Sequence, residues 1–384
     1  MHREAIDIAA CLGNDEIVPT GTLWLHDRRA SFAYHASWLA HRQAFAIDPF
    51  LPLTEGSQHT SRVVFGALAD TLPDRWGKKL WQARFGKPGS EAALLRGVPD
   101  AYRMGALRLV GGEGFEGPPI SLPNYPSLAT LHEACQRVME QAPTAADMAA
   151  LWGGVGMGGA HPKALVMRAD GTMVLAKVGS GHEAGTIQWE WVCGRLAREC
   201  GIDVPEQELL QRDGAAGLFV DRFDRHGPRR WHYWSGNTLL NDPPLASYKE
   251  LIQATALHAT HPGVAEQLWQ RMVFNFLIGN EDDHLRNHGL LRKDAGWQLA
   301  PAFDLTPTAM RYRTGKHALP MSEAGSSLAI AHALAGDLGM DADKNAAWAQ
   351  EARAIIHAQW ARLARQAGLK NAHITAMRGV FEGT

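Results

Sequence analysis

Asp282 stands five residues before Asn287 in the stretch Asn280-Glu281-Asp282-Asp283-His284-Leu285-Arg286-Asn287, and Asp304 follows seventeen residues later, behind Phe303. No other feature constrains the fold as much. Two carboxylates and a carboxamide at this spacing work together only if a loop and the end of a following hairpin converge. Phosphoryl transfer from ATP asks for such a trio, because the protein supplies little covalent chemistry there. One carboxylate accepts the substrate hydroxyl proton, while an amide oxygen and a second carboxylate hold the Mg²⁺ that bridges the phosphates. Asp282 fits the first role, and Asn287 and Asp304 fit the second.

The flanking residues suit that placement. Val264, Leu268, Met272, Val273, Phe276 and Leu277 recur at helical spacing and predict a buried helix over about 264 to 278. Gly279-Asn280 then ends the helix and opens a loop. Leu290 and Leu291 resume an apolar run, and residues 296 to 300 read as the returning strand of a hairpin, with Asp304 at its end. Two rival readings remain. An Asp-Asp pair is most often a solvated loop. His284 and His288 stand at i, i+4, a zinc-ligand spacing on a helix, although Asn287 and Gly289 favour a loop and no Glu follows His284 directly. Phosphoryl transfer therefore requires further parts elsewhere in the chain.

With 384 residues the chain can bury two or three domain cores. A net charge of -2 speaks against nucleic-acid binding by bulk electrostatics, and leaves open a local basic patch at Arg222, Arg225, Arg229 and Arg230. No apolar run approaches the roughly 18 residues of a membrane span, and no secretory leader is evident. Cys11, Cys135, Cys193 and Cys200 lack CxxC spacing and read as buried thiols in a reducing compartment. No membrane association is expected, and the cytoplasm is the expected address.

Residues 1–112 read as a β-rich cap with a helical patch around 61 to 85, and residues 113–147 as a linker with a short helix near Leu131 to Gln141. Residues 148–226 read as a β-rich nucleotide-binding lobe. It opens on the glycine-rich run Gly153 to Ala160, within which Gly156, Met157, Gly158, Gly159 and Ala160 are the candidates for contact with nucleotide phosphates. A hairpin follows, with strands Ala164 to Arg168 and Met173 to Val178 around Asp170-Gly171. Lys177 lies on its second strand, where a kinase needs a fixed ammonium, and Lys163 is the rival. A helix over about 186 to 200 carries Glu190, which can support Lys177 as a strand Lys and helix Glu do in protein kinases. The strand from Gly217 runs into Asp221-Arg222-Phe223-Asp224-Arg225, in the position of a hinge that grips adenine. Residues 227–384 read as a helical catalytic lobe, with a long helix from about 344 to 366. This order is what an ATP cleft between two lobes demands, and the expected class is α+β, a two-lobed protein-kinase-like fold.

Taken together these segments resemble the HipA-type serine/threonine kinases, the toxins of bacterial type II toxin–antitoxin pairs. The likeness runs through Gly21 to Trp24, Ala30 to Tyr34, Leu51 to Leu53, Arg103 to Arg108, Gly159 to Ala164, Arg222 to Arg225, Asn280 to Asn287 and Pro301 to Leu305. The resemblance implies Asp282 as proton acceptor, Asn287 and Asp304 as Mg²⁺ ligands, and Lys177 and His284 on the phosphates of ATP. It implies backbone contacts to adenine at Asp221 and Phe223, with Asp224 in support. Asp221 stands where relatives often have Glu, and Arg286 replaces the usual Lys. Some members silence themselves by phosphorylating a serine in the phosphate loop. Here Gly156 occupies that place, and residues 153 to 163 contain no Ser or Thr.

The resemblance further implies a small helix-turn-helix antitoxin of the HipB type as partner, DNA reached through that partner, and a protein substrate such as an aminoacyl-tRNA synthetase. Two alternatives stand beside it: a kinase-fold co-repressor acting through its partner without catalysis, and a kinase for a small molecule. The sequence identifies neither the target nor the oligomeric state.

Overall fold

The computed structural model describes residues 4–12, 16–26, 29–111, 114–115, 127–212, 214–294 and 296–383. Most of the linker expected over Gly111 to Pro126 lies outside the described residues. The chain divides into two units. Met1–Val178, Asp221–Trp234 and Leu291–Ala295 form the first, and Gly179–Val220, Ser235–Leu290 and Gly296–Thr384 form the second. These limits differ from the boundaries at 112, 147 and 226 read from the sequence. The reason is packing: the glycine run and the hairpin after it fold with the N-terminal residues.

A six-stranded antiparallel sheet organises the first unit. Its strands are β1 (Glu4–Cys11), β2 (Ile17–Leu25), β3 (Ala30–Tyr34), β4 (Ser57–Thr60), β5 (Leu107–Gly111) and β6 (Gly114–Phe115), in the order β4-β3-β2-β1-β5-β6. Ile6, Ile8, Leu23, Phe32 and Leu109 are fully buried on it, as alternation on a half-covered sheet requires. The patch expected over 61 to 85 is two helices, Gly66–Ala69 and Arg75–Phe85. Pro73 between them cannot donate an N–H and breaks the run. The hairpin β7 (Lys163–Met167) and β8 (Met173–Ser180) pairs Lys163 with Lys177 across the strands. Trp76, fully buried, donates its indole N–H to the Lys163 carbonyl at 2.8 Å, which ties the hairpin to the Arg75–Phe85 helix.

The second unit is mostly helical. The Ala342–Gln366 helix packs against the Gly181–Glu199, Val264–Leu277, Leu328–Asp337 and Asn371–Glu382 helices. Trp360 stacks on Phe381 at 5.1 Å between ring centres, and Trp189 leans on Phe381 at 5.5 Å. The hairpin β9 (Gln207–Arg212) and β10 (Ala215–Asp221) precedes the helical run. All four cysteines are free thiols and buried. Among the described residues no helix is long and apolar enough to cross a membrane.

Candidate active site

The loop carrying Asp282 begins where the Val264–Leu277 helix ends. Gly279 adopts a left-handed conformation at φ +67°, and a Cβ there would fall 2.6 Å from Val380 Cγ1, so only glycine suits the position. Its N–H donates to the Phe276 carbonyl at 3.0 Å and that of Asn280 donates to Asn275 at 2.9 Å, a complete Schellman stop. The chain leaves the helix at a fixed angle, and Asp282 emerges exposed.

Beneath it sits a buried polar frame. Asp283 lies opposite Asp282 in exposure and is buried. It accepts a hydrogen bond from the Tyr248 hydroxyl and another from Asn275 Nδ2 at 3.2 Å, and His288 Nε2 stands 3.0 Å from both of its oxygens. Asn275 Nδ2 also donates to Tyr248 Oη at 3.0 Å, and Asn280 Nδ2 donates to Asn275 Oδ1 at 3.0 Å. Burial works to raise the Asp283 carboxyl, yet His288 and the Tyr248 hydroxyl outweigh it and hold it below the usual carboxylate range. Burial together with the Asp283 charge pushes the Tyr248 phenol well up, so it stays a neutral donor. The Ser247–Glu250 capping box delivers Tyr248 to this place as the first residue of its helix.

Asn287 is buried at the end of a 3-10 turn, Leu285–Asn287, that opens at His284, whose carbonyl accepts the Asn287 N–H at 2.8 Å. His284 is half-buried, and its Nδ1 is buried without a hydrogen-bond partner among the described residues. The turn passes directly into a strand, Gly289–Lys293, so His284 and His288 do not share a helix face as the zinc spacing would require. Among the described residues no group of three or more His, Cys, Asp or Glu side chains is arranged to hold a metal ion.

Asp304 is half-buried and left-handed at φ +60°, an unfavourable backbone for a non-glycine residue. The segment behind it is stitched to the loop: Thr308 N–H donates to the Gly279 carbonyl at 2.9 Å, and Glu281 N–H donates to Thr308 Oγ1 at 3.3 Å. The second unit thus gathers Asp282, Asn287 and His284 on one loop and fastens the segment carrying Asp304 to its start.

The other expected site residues lie elsewhere in the fold. Lys163 and Lys177 are buried in the first unit. Lys163 Nζ donates to the Gly158 carbonyl, closing the glycine loop on itself. That loop is less open than its sequence suggests. Gly153 to Met157 are buried, Trp152–Gly154 forms a 3-10 turn, and Met157 packs with Tyr102 and Leu165. A Cβ on Gly156 would meet Val98 Cγ1 at 2.7 Å. Only the tip, Gly158 to Ala160, reaches solvent, with Gly159 left-handed at φ +96°. Asp74 Oδ2 accepts the Gly159 N–H at 3.2 Å, and the Trp76 N–H donates to the Gly159 carbonyl at 3.2 Å.

Asp221 ends β10 and pairs with Arg168 at 2.5 Å, while the Phe223 ring lies 5.8 Å from Tyr233. Asp224 is fully buried. Arg222 grips it with two bonds of 2.9 and 2.6 Å, and the Gly105 N–H donates to it at 2.7 Å. Arg222 and Arg225 also donate to backbone carbonyls of residues 102 to 105. The surface patch left open at Arg222, Arg225, Arg229 and Arg230 is thereby corrected: Arg222 and Arg230 are buried, and Arg225 is half-buried in the same ion-pair cluster. Glu190 is buried in the second unit.

Sequence reasoning missed Asp283, Tyr248, Asn275 and Glu281. The Asp282-Asp283 pair was a signal for one of them, since two adjacent carboxylates on a loop point to different sides. Nothing in the local sequence announces Tyr248 or Asn275.

Residues 155–377 match the model of the HipA-like C-terminal domain, and residues 15–110 match that of the HipA N-terminal domain. Two Sinorhizobium fredii proteins, named as candidate kinases Y4mE and Y4dM, are similar over most of the chain. The first is 26% identical over 307 residues, covering 72% of each chain. The second is 27% identical over 327 residues, covering 76% of this chain and 75% of its own. The fold is also similar to HipA of the Shewanella oneidensis MR-1 toxin–antitoxin system, solved with HipB and operator DNA. The TM-score is 0.68 at 17% identity, over 98% of this chain and 95% of that one.

Proposed function

Given that the chain belongs to the HipA family, we propose that it is an ATP- and Mg²⁺-dependent protein serine/threonine kinase, the toxin of a toxin–antitoxin pair. The observation that carries this reading is the loop at 280 to 288. Asp282 stands exposed and Asn287 buried on it, over the rigid frame of Asp283, His288, Tyr248 and Asn275. The kinase names given to the two Sinorhizobium relatives support it.

The residues present fit a metal-bound nucleotide. Mg²⁺ takes hard oxygen donors and commonly uses one or two protein groups, leaving its other places to phosphates and water. The Asn287 amide oxygen and the Asp304 carboxylate make such a set. The buried Nδ1 of His284, without a hydrogen-bond partner among the described residues, would gain one from a bound phosphate. When bound, Mg²⁺ supplies neutralisation of the phosphate charge. Asp282 takes the proton of the attacking hydroxyl as its oxygen bonds to the γ-phosphorus and the bond to the leaving ADP oxygen breaks. We assign Lys177, His284 and the tip Gly158 to Ala160 to the phosphates, and the backbone of Asp221 and Phe223 to adenine.

A helix-turn-helix partner of the HipB type belongs to this reading, with operator DNA reached through it. A component of translation, such as an aminoacyl-tRNA synthetase, is the target that the resemblance implies.

Transfer of labelled phosphate to lysate proteins tests the assignment. Asp282→Asn should lower transfer by about 10²-fold or more while Mg-ATP still binds. Asp304→Asn should weaken Mg-ATP in calorimetry without changing the melting curve. Equal incorporation by wild type and Asp282→Asn removes Asp282 from its role, and unchanged affinity removes Asp304. Label found only in small molecules refutes a protein substrate.

A further inference from the structure

We propose that Glu281 and Asp283, the residues on either side of Asp282, are positioning residues that hold it in place as the proton acceptor. This rests on the kinase reading above. Residues 281 to 283 run buried, exposed, buried, so the flanking carboxyls enter the protein while that of Asp282 faces out. Among the described residues the Asp282 carboxylate makes no hydrogen bond and no ion pair. Such a side chain is only as well placed as its backbone. A general base must stand within hydrogen-bond reach of its proton, so that backbone has to be held from elsewhere.

Glu281 ends in a cage made by the segment after Asp304. Its carboxylate accepts the Thr314 N–H at 2.8 Å, the Gly315 N–H at 3.0 Å and the Thr314 hydroxyl at 3.2 Å. It also pairs with Arg313 Nε at 3.1 Å. Gly315 is left-handed at φ +72°, a conformation that turns successive N–H groups toward one anion. The backbone of Glu281 is held as well: its N–H donates to Thr308 Oγ1 at 3.3 Å, and its carbonyl accepts the Ala318 N–H at 2.9 Å. Burial acts to raise this carboxyl, and the Thr314, Arg313 and Gly315 donors outweigh it and keep it ionised.

Asp283 ends in a second cage, formed by Tyr248, Asn275 and His288. Tyr248 and Asn275 come from two helices, and His288 from the far end of the loop. The two cages share no donor. Burying a carboxylate is costly unless donors surround it, and here one short loop does so twice within three residues. A solvated acidic turn has no need of either cage. A single anchor would leave the other side of Asp282 free to swing; anchors at both neighbours fix the residue between them.

The test compares Glu281→Ala, Glu281→Gln, Asp283→Ala and Asp283→Asn in the full chain. It reads transfer of labelled phosphate to lysate proteins at saturating Mg-ATP, Mg-ATP binding by calorimetry, and hydrogen exchange. Each alanine variant should lose about 10²-fold in transfer, the scale of a misplaced reacting group, while affinity and stoichiometry for Mg-ATP stay within about twofold. The Gln and Asn variants keep an accepting oxygen and should recover part of that loss, and they read the same effect if an alanine variant does not fold. Exchange in Glu281→Ala should quicken over residues 279 to 288 and 308 to 318. Added to Asp282→Asn, neither alanine should lower transfer further, because both act through the group already removed. Unchanged transfer in the alanine variants overturns the assignment. So does an equal further loss in the Asp282→Asn background, or a matching loss of Mg-ATP-binding sites, since either marks a general structural role. If wild type transfers phosphate to no acceptor, the kinase reading fails and exchange alone judges the cages. A loop that loosens in Glu281→Ala then supports the pinning of Asp282, and one that does not overturns it.

Discussion

Asp224 shows what one buried carboxylate does in this fold. Burial acts to raise it, yet Arg222, Arg225 and the Gly105 N–H hold it at about 2. Because its folded value lies below the ordinary carboxylate value, its contribution to stability is present above about pH 4 and is lost as pH falls toward 2. Asp224→Asn should cost about 3 kcal/mol at neutral pH, since it leaves two arginines without their buried counter-charge. Urea unfolding followed at pH 7, 4 and 3 checks this. The gap between wild type and variant should narrow as pH falls from 4 to 3, and a gap independent of pH would show that charge is not what Asp224 supplies. The family-like pieces Arg103 to Arg108 and Arg222 to Arg225 were both visible in the sequence. That they grip each other was not, because nothing local to either piece requires the other.

Among the elements, the glycine run divides into two parts with different work. Gly154 and Gly156 are small because neighbours press on them, and a Cβ on Gly156 would force Val98 aside. At Gly158 a Cβ would have nothing within 4 Å, so packing does not require that residue to be small. Gly156→Ala should therefore lose about 1–3 kcal/mol to overpacking. Gly158→Ala should stay within about 0.5 kcal/mol of wild type. Thermal denaturation of the two variants separates them, and equal losses would contradict the division. Any side chain at position 156 meets the same walls. The periodic elements were legible from the sequence. The Val264–Leu277 helix and the β7–β8 hairpin fall within a residue or two of their expected limits, because apolar spacing and an Asp-Gly turn act over a few residues.

At the scale of the whole chain, the balance of charge limits the partners. The net charge is -2, and three of the four arginines that read as a basic patch are drawn into ion pairs or burial. Alone, the chain should hold duplex DNA no tighter than the roughly 10⁻⁴–10⁻⁶ M of non-specific contacts at physiological salt. Anisotropy with a labelled duplex tests this, with and without the helix-turn-helix partner assigned above. Tight and steeply salt-dependent binding by the chain alone would contradict a route to DNA through that partner.

The loop after the Val264–Leu277 helix, the lysine hairpin and the periodic helices were readable in advance because each is written in neighbouring residues. The frame that steadies them joins residues far apart: Tyr248 and Asp283 are separated by 35 positions, Asp74 and Gly159 by 85, and Gly105 and Asp224 by 119. Whether a carboxylate is exposed, like Asp282, or buried and hydrogen-bonded, like Asp283 beside it, depends on which surfaces close over it. Desolvation and ion pairing arise only when those surfaces meet, and a linear order of residues holds no record of that distance.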